Sequence, residues 1–144
     1  LIIDELRPAT LEGKGLGKAL TEYAARWQDQ TGIQVNVTIS GEGFLPLEVE
    51  QVLYRVLQEA LSNVARHSKA TTIDLALTLT AQMVTLQVKD NGQGFNLQAV
   101  TDDSLGIAGM KQRLEEIGGT LSIDSTLGVG TSVIAQVQSA QNNT

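Results

Sequence analysis

No cysteine occurs anywhere in the 144 residues, which excludes a disulfide framework and a thiolate metal site and fits a reducing, cytoplasmic setting. No apolar run approaches the ~18 residues needed to cross a bilayer, and no signal peptide is visible; the expectation is a domain that makes no membrane contact. Basic residues are scarce: 10 Lys and Arg stand against 16 Asp and Glu, for a net charge of -6 and a pI near 4.6. That balance argues against a general nucleic-acid binder, which needs a basic face. There is no internal repeat and no long low-complexity stretch. What is present is an apolar content of 42%, too high for a disordered chain and enough, at this length, for one domain spanning 1–144 with a real core.

Hydrophobic spacing lays out the elements. Leu16, Leu20, Tyr23, Ala24 and Trp27 recur at helical intervals over 11–30, with Gly32 as terminator. Ile33, Val35, Val37 and Ile39 alternate with polar residues, predicting a strand, and Ser40–Gly43 reads as the turn after it. Pro46 suits the first turn of a helix running to about 67, whose core stripe is Leu53, Val56, Leu57, Ala60, Leu61 and Val64. Two alternating runs, Ile73 to Leu79 and Val84 to Val88, predict an antiparallel hairpin turning near Thr80. A polar, glycine-containing loop over 90–105 precedes a helix at about 106–117 that ends at Gly118-Gly119. Strands at about 120–125 and 131–138 follow, then a polar tail over 138–144. The order predicts an α/β two-layer sandwich: a mixed, mostly antiparallel sheet with helices on one face.

Three pieces of chemistry stand on this frame. Glu59 and Asn63, four residues apart on a helix, share one face and form an oxygen-rich row suited to a hard cation such as Mg²⁺. Asp90-Asn-Gly-Gln-Gly94-Phe95 places an aspartate at a strand end before two glycines, Gly92 and Gly94, where backbone can approach a ligand closely. Gly106-Ile-Ala-Gly109 opens a helix, whose unpaired N–H groups favour phosphate. Each alone has a plainer reading: an exposed helix carboxylate or amide, a strand-end turn, a loop-to-helix joint. Their ordered set is the kit for a Mg–nucleotide site, and such backbone groups let even an acidic chain bind a triphosphate.

Across its whole length the chain resembles the ATP-binding catalytic domain of bacterial sensor histidine kinases, within the wider GHKL superfamily that includes Hsp90, type II topoisomerases and MutL and shares the Bergerat-type fold. Glu59-Ala-Leu-Ser-Asn63-Val-Ala-Arg66-His67-Ser-Lys69-Ala70 is similar to that family's asparagine box. Asp90 to Phe95 resembles its first glycine box, Leu105 to Arg113 its second, and Gly128-Val-Gly-Thr131 its last. The Arg66-His67 pair, Gly109-Met110 and the Gly-Leu-Gly near position 15 resemble the nitrate-sensor and lipid-thermosensor type. There are departures: no phenylalanine box lies between the first two glycine boxes, and Ser104-Leu105-Gly106 replaces a doubled Gly-x-Gly.

The resemblance implies roles. Asn63 would coordinate Mg²⁺, and Glu59 would act as general base or orient the nucleophile. Asp90 would accept a hydrogen bond from the adenine amino group, with Thr131 helping through a water and Gly92 and Gly94 giving room. Gly106 and Gly109 would face the phosphates, and 95–105 would form a lid. Arg66, His67 and Lys69 would contact phosphates, although cations at a helix C-terminus are favourable without any ligand. ATP or ADP with Mg²⁺ is the implied ligand. The implied partners are a phosphoacceptor-histidine hairpin outside this chain and, through the full-length kinase, a response regulator in two-component signalling. A chain opening at Leu1 is expected to be a monomeric fragment of a longer sensor kinase. Two alternatives share these boxes: a serine kinase of the anti-sigma type, and a nucleotide-sensing module that transfers nothing.

Overall fold

The computed structural model describes residues 15–41, 43, 45–96 and 106–138. Helix α1 (Gly15–Thr31) leads into strand β1 (Gln34–Ser40), and helix α2 (Leu47–Asn63) continues as a π-helical turn over Val64–Ser68. Strands β2 (Thr72–Leu79) and β3 (Met83–Asp90), helix α3 (Ile107–Glu116), and strands β4 (Thr120–Thr126) and β5 (Gly130–Gln138) follow. The expected starts of the first helix at 11–14, most of the expected lid (97–105) and the end of the tail (139–144) lie outside the described residues.

The five strands form one sheet in the order β1-β2-β3-β5-β4. Only β1 and β2 run parallel, joined by α2; every other pair is antiparallel. Alternation decides which face is dry. Ile73, Leu75 and Leu77 of β2, Val84, Leu86 and Val88 of β3, and Val133, Ala135 and Val137 of β5 are all buried. Their neighbours along the strands, among them Asp74, Thr78, Lys89 and Gln136, are exposed on the other face. The helices cover the apolar face with Leu20, Ala24 and Trp27 of α1, Leu53, Leu57 and Leu61 of α2, and Met110 and Leu114 of α3. Each buried leucine or methionine among them contributes ~1.5–3 kcal/mol by leaving water. This is the expected two-layer sandwich. Tyr23 packs edge-on to Tyr54, ring centroids 5.6 Å apart, and Trp27 is core.

Helix α2 departs from the sequence expectation at its end. α-Helical geometry stops at Asn63, and a wider π turn carries the chain to Ser68 before Lys69 ends it at φ 57°. A π turn shifts carbonyls off the regular ladder, and Gln93 takes two of them. Its side-chain amide donates to the His67 carbonyl at 2.6 Å, and its backbone N–H donates to the Ser68 carbonyl at 2.7 Å. Distant chain therefore finishes this turn, which local periodicity cannot report.

Candidate functional site

A cavity of about 300 Å³ opens between the end of α2, α3 and the ends of β3, β4 and β5. Its floor is the last part of the apolar face. Reading across β3, β5 and β4, Leu86, Ala135 and Leu121 form one row and Val88, Val133 and Ile123 the next. The following row is Asp90, Thr131 and Ser125. The sheet's dry face thus ends in three polar side chains, and the cavity spans that boundary. Ala60, Val64, Ile107, Met110 and Phe95 supply further apolar wall.

Asp90 is the one buried carboxylate among the described residues, 7% exposed. Burial raises its pKa above the usual aspartate value; hydrogen bonds from the backbone of Gly92 and Thr131 oppose that rise without cancelling it. The Gly92 bond is 2.7 Å, to Oδ1. The turn after Asp90 needs both glycines. A Cβ on Gly92 would collide with the Ser68 backbone, and one on Gly94, at φ +67°, would collide with the Thr126 carbonyl. Asn91 points away from the cavity's chemistry: its Oδ1 accepts the Thr71 and Thr72 N–H groups at 3.0 and 3.1 Å, fixing the start of β2. Gln93 links the π turn to the β4–β5 turn, since its carbonyl accepts the Gly128 N–H at 2.7 Å.

On the helix side, Asn63 and His67 also line the cavity. Arg66 reaches back from the π turn and donates to Asn63 Oδ1 at 3.0 Å, with its Nη2 3.9 Å from Glu59 Oε2. Glu59 stands outside the lining, against Gly106, where any Cβ would lie 2.5 Å from its carboxylate. Gly106, at φ +70°, is the residue before the first turn of α3. Gly109 lies in that first turn, half-buried beside Arg113. Lys69 is exposed at the end of the π turn and does not line the cavity.

Of the residues singled out from sequence, the cavity gathers Asn63, His67, Asp90, Gly94 and Thr131. Glu59, Arg66 and Gly106 cluster at its rim, while Gly92 shapes the turn beneath it. Sequence reasoning passed over Ser68, Gln93 and Ser125. Ser125 was within reach: it continues the Leu121, Ile123 alternation of β4, so it faces the same side.

Mg²⁺ fits this rim only as a shared ion. Among the described residues no three His, Asp or Glu side chains come together to hold a metal. Asn63 offers a hard amide oxygen already engaged with a cationic group, and phosphate oxygens and water would complete an octahedral shell.

No helix among the described residues is long and apolar enough to cross a membrane. Comparison with known proteins gives a consistent result. Residues 48–141 match the family described as histidine kinase-, DNA gyrase B-, and HSP90-like ATPase. The chain is 41% identical over 132 residues to the sensor histidine kinase LiaS of Bacillus subtilis, covering 92% of this chain and 36% of that one. It is 36% identical over 139 residues to the oxygen sensor histidine kinase NreB of Staphylococcus carnosus, covering 92% and 39% respectively. The chain therefore spans little more than a third of the length of these curated relatives. The histidine kinase domain of the Erythrobacter litoralis EL346 blue-light activated histidine kinase shares the fold, with a TM-score of 0.73 at 20% identity over 88% of this chain and 62% of that one. The matched 48–141 segment, together with the identity to these sensor kinases, places this chain in the histidine kinase-, DNA gyrase B- and HSP90-like ATPase family, as a nucleotide-binding domain.

Proposed function

We propose that this domain binds Mg–ATP and presents its γ-phosphate to a histidine on a separate helical hairpin, as the catalytic part of a two-component sensor kinase. The observation that carries the reading is the buried Asp90 carboxylate, set where the apolar floor of the cavity ends. An apolar slot with one ionised acceptor suits a flat base bearing an amino group. The helix side, with an amide oxygen, a guanidinium and a helix start, suits a chain of phosphates.

Phosphoryl transfer asks for positioning and charge neutralisation more than covalent chemistry. Asp90 holds the base and so sets where the phosphates fall. Asn63 would hold the metal through its amide oxygen; Mg²⁺, when bound, would neutralise phosphate charge. Arg66 is free to trade Asn63 for a phosphate oxygen, which gives its guanidinium a stronger, charged acceptor. Glu59, one turn before Asn63, orients the incoming nucleophile or takes its proton. Gly106 and Gly109 offer α3 backbone N–H groups to phosphate, and His67 and Lys69 add local donors.

Histidine is favoured over serine as acceptor because the relatives reported above are sensor histidine kinases. The acceptor hairpin, the response regulator and a cytoplasmic location belong to the same proposal. Calorimetry of the chain with ADP, with and without Mg²⁺, tests its first half: binding that strengthens with Mg²⁺ is expected, and no binding at millimolar nucleotide sinks it. Transfer of γ-label from ATP to an added histidine-bearing hairpin tests the second half.

A further inference from the structure

Resting on that reading of the cavity, we propose that Ser125 is a positioning residue that sets the direction of the Thr131 hydroxyl, so that Thr131 offers its proton to the base. The two hydroxyls are 2.8 Å apart, Ser125 Oγ to Thr131 Oγ1. They sit directly opposite each other on β4 and β5, and Thr131 in turn lies opposite Asp90 on β3.

A serine hydroxyl has one proton and two acceptor sites. The backbone N–H of Phe95 occupies one acceptor site of Ser125 at 2.8 Å. Among the described residues the Ser125 proton then has two acceptors within reach: Thr131 Oγ1 at 2.8 Å and the Gly130 carbonyl at 3.5 Å. The shorter partner wins, since 3.5 Å is well beyond the usual O–H···O range. With Ser125 donating, the Thr131 proton is released to point into the cavity that Thr131 lines. The row then presents an acceptor, Asp90, beside a donor, Thr131. Adenine shows the complement on one edge, an amino donor beside the ring nitrogen acceptor, met directly or across one water. Hypoxanthine reverses both groups, with a carbonyl acceptor beside a ring N–H.

Without the Ser125 hydroxyl, Thr131 is free to turn its lone pairs toward the base and satisfy a ring N–H. Ser125 therefore acts on base discrimination through Thr131. It also joins the base end of the cavity to Phe95, the residue with which the chain leaves the glycine turn.

The test measures ADP and IDP affinities, by direct titration or competition, for the native chain, Ser125→Ala, Ser125→Thr and Thr131→Val. In Ser125→Ala, ADP is expected to weaken about three- to tenfold, the scale of one hydrogen bond, and the ADP-to-IDP preference to narrow by a similar factor. Ser125→Thr, which keeps the hydroxyl, should restore the native preference. In a Thr131→Val background, Ser125→Ala should cost no further ADP affinity, because the path it acts through is gone. Should Ser125→Ala fold poorly, Thr131→Val alone must show the same narrowing. An unchanged preference, or losses that simply add, overturns the inference while leaving the nucleotide site standing. A native chain that binds no ADP overturns both.

Discussion

The two ends of the cavity are built by different means. At the proposed base end, Asp90, Thr131 and Ser125 stand on three adjacent strands, held by sheet register and by bonds to Gly92 and Phe95. At the proposed phosphate end, Asn63, Arg66 and Glu59 hang from the last turn of a helix and the π turn beyond it. The Arg66 and Glu59 side chains there are 53% and 38% exposed. A recognition element that must reject wrong bases gains from rigidity, because a fixed acceptor cannot turn to suit another ligand. A phosphate site must admit a metal, let go of a product and meet a partner. Exposed, weakly tied side chains suit that, each contact being worth well under ~1 kcal/mol.

The largest effect should come from Gly92→Ala, which attacks the base end through its backbone. The new Cβ meets the Ser68 carbonyl and Cβ, in a turn where backbone packs on backbone. Neither side can yield as a flexible side chain would. The expected loss is ~2–4 kcal/mol of stability, read by denaturant unfolding, together with loss of ADP binding. A variant as stable as the native chain would show that the two walls of the cavity move independently.

Asp90→Asn should separate binding from stability. The proposed ionised acceptor for the base is lost, so ADP should weaken by about ten- to a hundredfold, or ~1.5–3 kcal/mol. Without ligand the sign reverses. Burial raises the Asp90 pKa in the folded chain, so its contribution to stability is fully present below the unfolded pKa and lost as pH rises through the folded one. At neutral pH the buried carboxylate is therefore a cost. Ligand-free Asp90→Asn should melt no lower than the native chain at pH 7, with any advantage shrinking as the pH falls toward the carboxylate range. A pH-independent destabilisation would mean that the bonds to Gly92 and Thr131 outweigh burial.

What could be read from the residues alone follows the same division. The strands and the α2 stripe were legible because alternation and 3.6-residue spacing are local, and the structure buries Leu53, Val56, Leu57, Ala60, Leu61 and Val64 as that spacing requires. The mixed sheet followed from element order. At the site, Asp90 and its glycines stood out because a polar residue breaks an apolar alternation at a strand end. The π turn did not, because Gln93, some two dozen residues downstream, stabilises it. Ser125 was missed because only the pairing of β4 with β5 gives a strand serine a partner, Thr131.

Asn63→Ala should act on the phosphate end alone. It removes the amide oxygen facing the proposed metal and frees Arg66 from its 3.0 Å bond. Because the pair is solvent-accessible, the fold should lose less than ~0.5 kcal/mol. The gain in ADP affinity on adding Mg²⁺ should largely vanish, while Mg-free ADP affinity stays within about threefold. Titrations with Mg²⁺ and with a chelator decide it. An undiminished Mg²⁺ effect would assign the metal to other groups.

The smallest effect expected is none at all: incubation with γ-labelled ATP should leave no phosphate on His67, the one histidine of the chain. In-line transfer requires the acceptor to approach the γ-phosphate opposite the leaving oxygen. His67 instead lines the cavity itself, and its carbonyl is fastened by Gln93 at 2.6 Å, so its backbone is fixed in the wall of the site. A second copy gives no easier route, since its His67 is held in its own wall in the same way. In the proposed site the residue frames the bound nucleotide, and a group that frames the substrate is poorly placed to attack it. Acid and base treatment of the labelled chain gives the answer, because phosphohistidine is lost in acid and survives base. Such label on His67 would erase the division of labour between this domain and a separate acceptor. Label that appears only when a histidine-bearing hairpin is added, and disappears in Asp90→Asn and Asn63→Ala, would tie both ends of the cavity to one transfer.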